Sequence, residues 1–516
     1  MSDKIENGLD AKRISRNIVF SVIAFVLNMI ISFFLTPHIT SNLGSEAYGF
    51  VKLSTDFVSY ASLVSIALNS MASRFIMLER ERNNSDKASS YYSSILISNV
   101  ILAMFLIVPA VIITLYLDRV LNIPEGLVID AKLTFALAFL SFLMELAFST
   151  FGNCYFLSNR IDASSIVSAV ANIVKVLCIM AMFVAFSPNI VYLSLGGLIA
   201  SSILVLFNLY YHHKLVPDIR FDKKKVKWKI ILEVLSSGIW NAITRLSQIF
   251  SSGLDLLVTN VILGATNMGY LSVAKTVPNL VATFNSTVAN AFSPNMMMLY
   301  AKGNMDQLKS ATKTAMRFMC LFVTIPTAIL ITMGQEFFML WVPEQPSQLI
   351  NVLSILTIIN SCVTGPMQPL YQIFTITNKI KQSSIVMIIY GFVSILITFV
   401  CLKLTNLGLY AVAGVSLVGS LIVALGYHLP FSAKYIGLPW YTFFPEIGKS
   451  ILTLVVQCVP GMIINFLIPL QSSWLLWFAG AICSAIVGLV INMFLVLNAQ
   501  ERRTLMRMVT NKFIRR

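Results

Sequence analysis

The sequence predicts an all-α polytopic membrane protein: fourteen transmembrane helices in two parallel six-helix repeats plus a C-terminal helix pair. Three observations predict it. First, 57% of the 516 residues are hydrophobic and only 11% are charged, with a mean hydropathy of +0.81, whereas a soluble domain carries about 25% charged residues. Second, many apolar runs exceed the roughly 18–20 residues that cross a bilayer, and a β-barrel would show short alternating segments instead. Third, a turn recurs. Leu43, Gly44 and Gly49 in TSNLGSEAYGF return 220 residues later as Leu263, Gly264 and Gly269, within the stretch Gly253 to Lys275. Glycine tolerates turn backbone angles that other residues resist, and a fixed offset between two such turns indicates a duplicated chain.

Taken in order, the polar start MSDKIENGLDAKRISRN leads into span one, 16–38. That run is too long for a signal-peptide core and lacks a small-residue cleavage pattern, so it is expected to stay as a membrane helix. Spans two to six follow at 49–74, 91–117, 131–156, 163–186 and 190–212. The inner loop after span four carries Ser158-Asn159-Arg160-Ile161, which recurs after span ten as Thr377-Asn378-Lys379-Ile380, at an offset of 219. Spans seven to twelve are placed at 234–262, 269–295, 311–337, 349–375, 382–404 and 407–430, and the added pair at 446–469 and 473–498. Pro109, Pro326, Pro366, Pro369 and Pro460 fall inside spans and are expected to bend them. The expected domains are an N-terminal lobe at 1–212, a basic linker at 213–233, a C-terminal lobe at 234–435, and the helix pair with a basic tail at 436–516. Six spans per copy is an even number, so the copies face the same way, as in parallel-repeat transporters.

Charge placement orients the helices. With the N-terminus inside, 30 of the 37 Lys and Arg fall on inner segments: seven in 212–229 and six after Asn498. The outer loops keep four: Lys52, Arg119, Lys132 and Lys403. This is the positive-inside bias, and it places both termini in the cytoplasm. The net charge of +15 is therefore read as topology and attraction to membrane lipids, with no nucleic-acid partner. The seven cysteines lie in or at the edge of apolar spans without a CxxC pair and read as small hydrophobes. His212-His213 is read as a solvated helix end rather than a metal site.

Four helices carry polar side chains at helical spacing. Span one holds Ser21, Asn28 and Ser32; span two Lys52, Thr55, Asp56, Ser59, Ser62, Asn69 and Ser73. Span seven holds Asn241, Arg245, Gln248, Ser252, Asp255 and Thr259; span eight Ser272, Lys275, Asn279, Thr283, Ser286, Asn290 and Ser293. Two readings stand for these stripes: hydroxyl and small-residue helix packing, or a polar cavity between the lobes. A charge near the bilayer centre costs about 2.5–3.5 kcal/mol, so each needs a reason. Arg245, mid-span, is the candidate for an anionic group, because its planar fork matches phosphate oxygens; pairing with Glu233 or with a neighbouring helix is the structural alternative. Asp255, Lys275 and Asp56 share one depth near the outer side, as a gate ion pair, a proton or cation site, or a structural pair. Lys52 joins them as a gate or coupling candidate. Glu145 and Lys175 share mid-membrane depth and are read first as a pair inside the N-terminal lobe.

No phosphate-cradling glycine loop, nucleotide motif or metal-ligand cluster appears in the sequence, and the outer loops are short. No catalytic residue, cofactor or metal is therefore expected, and an enzyme is disfavoured. The residues do resemble a family. Arg16-Asn17 before span one, Pro37 followed by LGSEAYG, Asp255 followed by the LG…GY turn with Ala274, and the fourteen-span plan resemble the polysaccharide and oligosaccharide-lipid flippases of the multidrug/oligosaccharidyl-lipid/polysaccharide (MOP) exporter superfamily. That resemblance implies a MATE-like fold in the bacterial plasma membrane. It also implies movement of a polyprenyl-diphosphate-linked oligosaccharide from the inner to the outer leaflet by alternating access. Cationic cavity residues would hold the diphosphate, with Arg245 matching by position and Lys275 less closely, beside Asn241, Gln248, Asn279 and Asn28. The resemblance leaves open proton or sodium coupling and polymerase or glycosyltransferase partners. The competing reading is a cation-coupled multidrug exporter with Asp56 and Asp255 as coupling acids, and a non-transporting scaffold for polysaccharide assembly is a third.

The topology is directly measurable. A reporter active only in the cytoplasm should work when fused after Arg220 and fail when fused after Asn122; the reverse pattern would invert the orientation.

Overall fold

The computed structural model describes the backbone of residues 2–503 except 159, 291, 378 and 500. It describes side chains from Val26 onward apart from 27, 28, 31, 81, 161, 251, 252, 294, 295, 301 and those four positions. Every regular element among the described residues is helical, as a bilayer demands when backbone groups must be paired within each segment. Eleven helices among these residues are long and apolar enough to cross a membrane. The expected count of fourteen differs from this in identifiable places. Spans one and two run as one helical stretch, Ser2–Asn69, interrupted at Gly44. Spans seven and eight are built of shorter pieces: Trp228–Gln248, a π-helical turn Ile249–Gly253, then Asp255–Leu263, Ala265–Ala274 and Thr276–Asn290. Large apolar side chains face outward, with Phe105 72%, Val184 89% and Phe466 90% exposed; in water such surface would drive association, and in lipid it is solvated.

The helices pass through Pro109, Pro326 and Pro460 without ending. Pro366 and Pro369 fall where span ten breaks into Ser347–Ile358, Ser361–Thr364 and Gln368–Ile376. Pro366, in the gap before Gln368, lacks the N–H that would continue the helix, whereas Pro369 sits at the start of the last piece, where no N–H partner is needed.

The chain divides into two compact units, residues 1–249 with 256–269 and residues 250–255 with 270–516. In the first, Val128–Phe148 packs between Ser85–Leu115 and Val191–Leu215, Ile161–Ala185 packs on Val191–Leu215, and Trp228–Gln248 lies along Ser2–Asn69. Gly238 permits that last approach, since a Cβ there would run into the Ala67 carbonyl. The basic segment 212–229 is bound to this unit. Ser90 Oγ donates to the Lys225 carbonyl (2.6 Å), Ser93 and Ser94 accept from the Asp222 and Lys227 amides (both 3.0 Å), and Arg80 pairs with Asp218. Val216 and Ile219 are fully buried beside Tyr92, Ile95 and Ile230. At about 1.5–3 kcal/mol per buried aliphatic side chain, against about 0.5–1.5 per hydrogen bond, these apolar anchors are the larger contribution. His212 belongs to them. It is 5% exposed and stacked on Tyr92 with centroids 4.8 Å apart, so only His213 is the solvated group expected of both.

In the second unit, Met305–Trp341 is the central post. Both helices of the added pair, Phe444–Leu467 and Trp474–Leu495, pack on it and on each other. Polar contacts fix them: Gln457 donates to the Gly488 carbonyl (3.0 Å), Asn492 to Thr324 (3.1 Å), and Asn465 to the Thr332 carbonyl (2.8 Å). Buried Arg317 grips both oxygens of Glu446 at 3.0 and 2.9 Å and reaches Glu501 at 3.1 Å.

The two related turns share a positive φ at the glycine, +83° at Gly44 and +89° at Gly264, a region that favours glycine. They also meet inside the first unit. A Cβ on Gly49 would lie 3.2 Å from the Gly269 backbone, and one on Gly269 would strike the Ser45 backbone. Gly269→Val should therefore destabilise the protein by about 1–3 kcal/mol, read as a lower unfolding temperature in detergent. Gly126→Ala, with open space around it, should leave that temperature unchanged.

Candidate functional site

The hydroxyls of the polar stripes are largely satisfied within their own helices. Ser62 donates to Ser59, Ser65 to Ser62, and Thr283 to Asn279, all at backbone carbonyls. That arrangement is helix packing chemistry and recruits nothing. Amides and charges behave differently. Asn69 and Asn99 exchange hydrogen bonds at 3.0 and 2.8 Å, and Asn99 also reaches Ser149 and Thr150. Asn122 and Asn260 clasp each other: the Asn122 amide N–H meets Asn260 Oδ1 at 2.9 Å, and its Nδ2 meets the Asn260 carbonyl at 2.8 Å.

Arg245 sits in the last turn of Trp228–Gln248, immediately before the π-helical turn. It is half-buried, and its Nη1 donates to Gln248 Oε1 at 3.1 Å. Glu233, the alternative partner, instead accepts from Tyr91 at 2.9 Å. Asn241, one turn earlier, donates to Ser70 Oγ at 3.1 Å. Asn241, Arg245 and Gln248 thus form a polar edge within the first unit, the last of them exposed.

Lys275 and Asp255 come together in the second unit as an ion pair at 2.7 Å, with side chains 14% and 21% exposed. Asn279, one turn beyond Lys275, is exposed. In the first unit Asp56 is half-buried, and Lys52 lies over the Tyr48 ring at 5.3 Å from its centroid. The Asn28 side chain lies outside the described residues. Glu145 and Lys175 do not form the expected pair. Glu145 accepts from Ser201, and it lines a cleft of about 360 Å³ together with Lys175 and Lys52.

Sequence reasoning missed Arg317, Glu446 and Glu501. Arg317 lies within span nine and Glu446 in the first turn of Phe444–Leu467. A charge inside each apolar run was the available signal. No group of three or more His, Cys, Asp or Glu placed to hold a metal occurs among the described residues.

Membrane-length helices in two units, with membrane-embedded charges held on broken, polar helices, define a polytopic membrane protein built like a transporter. The model of the family described as "polysaccharide biosynthesis protein" matches residues 14–299, more than half of the chain, and the chain belongs to that family. It is 27% identical over 494 residues to the uncharacterized membrane protein EpsK of Bacillus subtilis (strain 168), covering 95% of this chain and 97% of that one. The fold is similar to that of a lipid II flippase, MurJ, in an inward closed conformation (TM-score 0.65, 16% identity, 92% of this chain and 98% of that chain). It is also similar to an inward-facing multidrug resistance MATE family transporter of the MOP superfamily (TM-score 0.64, 15% identity, 82% and 97%). The fold is therefore that of MOP-superfamily transporters.

The Lys275–Asp255 pair is testable by a double-mutant cycle. Removing one partner of a buried pair costs about 3–5 kcal/mol, so Asp255→Asn and Lys275→Met should each lower thermal stability in detergent by much of that. The double variant should recover more than half of the loss. Additive losses would show that the two side chains are not coupled.

Proposed function

We propose that this protein flips a polyprenyl-diphosphate-linked oligosaccharide, a polysaccharide repeat unit, from the inner to the outer leaflet of the bacterial plasma membrane. In this reading both termini are cytoplasmic and access alternates between the two sides. The observation that carries the proposal is Arg245. It is a half-buried guanidinium within a membrane span whose hydrogen bond among the described residues is to an uncharged amide oxygen, and none of the salt bridges among those residues includes it. A cation left without a counter-charge at that depth is costly, and a diphosphate supplies the counter-charge with matching bidentate geometry. Membership of the polysaccharide biosynthesis family and likeness to a lipid II flippase support a lipid-linked cargo. The polyprenyl tail stays in lipid while the headgroup follows polar side chains such as Asn241 and Gln248.

The multidrug-exporter reading draws on the MATE fold likeness. Against it, Asp255, one of its two proposed coupling acids beside Asp56, is held by Lys275 at 2.7 Å, and Arg245 would repel cationic drugs.

The test is translocation of a labelled polyprenyl-diphosphate oligosaccharide in reconstituted vesicles. Arg245→Ala should slow it about tenfold or more at equal protein level, as expected for a lost charge-assisted bond, and Arg245→Lys should fall between. Full translocation by the alanine variant would remove Arg245 from the mechanism. No translocation by the wild type, together with drug resistance conferred on cells, would favour the exporter.

A further inference from the structure

The first unit contains a second cationic feature that the Arg245 reading does not use. Lys52 on span two, Glu145 on Val128–Phe148 and Lys175 on Ile161–Ala185 come from three different helices, and all line the cleft of about 360 Å³. The cleft therefore holds two lysine side chains against one carboxylate. No salt bridge joins either lysine to Glu145 among the described residues. The Glu145 carboxylate is taken up by the Ser201 hydroxyl, and Lys52 rests against the Tyr48 ring, a weaker partner than a carboxylate. The rest of the wall includes Asn172, Ser194 and Thr55, groups that hydrogen-bond hydroxyls as readily as water does. A pocket with two lysines to one carboxylate, polar walls and space for a group much larger than an ion suits an anion that also carries hydroxyls.

We propose that this cleft binds an anionic oxygen group on the headgroup of the cargo, the carboxylate of an acidic sugar or a phosphate, between Lys52 and Lys175. Glu145 is the internal competitor that keeps the empty site from holding its ligand too tightly. The assignment rests on the reading of the protein as a flippase of sugar-linked lipids, and it adds that this cargo is acidic at a point away from Arg245.

Binding of soluble probes to the purified full-length protein in detergent, followed by calorimetric titration, tests it without any transport step. Glucuronate and inorganic pyrophosphate are the anionic probes, and glucose is the neutral one. At least one anion should bind where glucose does not: glucuronate alone would identify a sugar carboxylate, and pyrophosphate alone a phosphate. Lys52→Gln and Lys175→Gln should each weaken that binding about tenfold or more, Lys175→Arg should retain it, and Glu145→Gln should tighten it several-fold. The opposite sign for Glu145→Gln separates a charge-tuned site from general damage to the fold. Anions binding no better than glucose, unchanged affinity in both lysine-to-glutamine variants, or weaker binding in Glu145→Gln would each overturn the proposal. If flipping depends on Arg245 but no anion binds here, only the cleft assignment fails. If anions bind here but nothing is flipped, the cleft stands and the flippase reading fails.

Discussion

The structure of the first unit depends on the contact between its two glycine turns. Gly44 and Gly264 both turn the chain with φ near +85°, and five residues on, Gly49 and Gly269 bring two backbones to within one side-chain radius of each other. Between helices in a bilayer the hydrophobic effect gives little net attraction, so association relies on close packing and on polar contacts. The glycine contact supplies the first. The Thr266 hydroxyl on the Glu46 carboxylate and the Asn122–Asn260 clasp supply the second at the same end of the unit. With that end fixed, the long kinked helix Ser2–Asn69 and the helix Trp228–Gln248 are set side by side, and Arg245 takes its position at the end of the latter.

Polar residues in these membrane helices separate by chemistry. Many serines and threonines, such as Ser62, Thr283 and Thr324, turn back onto their own helix, whereas Asn99, Asn122 and Gln457 pin one element to another. Charges fall into two kinds. Some are paired and buried, as in Lys275–Asp255 and Arg317–Glu446, where desolvation makes a partner obligatory. Others, Arg245, Lys52 and Lys175, keep company with amides, rings and hydroxyls.

Much of this was legible from the residues. Hydropathy gave the helical class, and the repeated LG…G spacing marked two turns whose glycines prove to share a positive φ. The shared depth of Asp255 and Lys275 foreshadowed their ion pair, since twenty residues across a tight turn return the chain to the same level. What could not be read depended on which helices are neighbours. Glu145 and Lys175 were correctly matched in depth, yet a third helix brings Lys52 into the same cleft and Ser201 takes the carboxylate. His212 looked like a solvated end because it follows tyrosines at a basic boundary, and the fold of 212–229 back over Tyr92 buries it. Arg317 and Glu446 are 129 residues apart, beyond the reach of any local pattern.

That last cluster bears on how the chain could have grown. Arg317 lies on the central post, while the carboxylates that neutralise it come from the final helix pair and from the start of the tail. Without the residues after Tyr435, this arginine would lose both of its carboxylate partners. The post and the extension are therefore a matched lock and key: neither can be exchanged with a relative's unless the other travels with it.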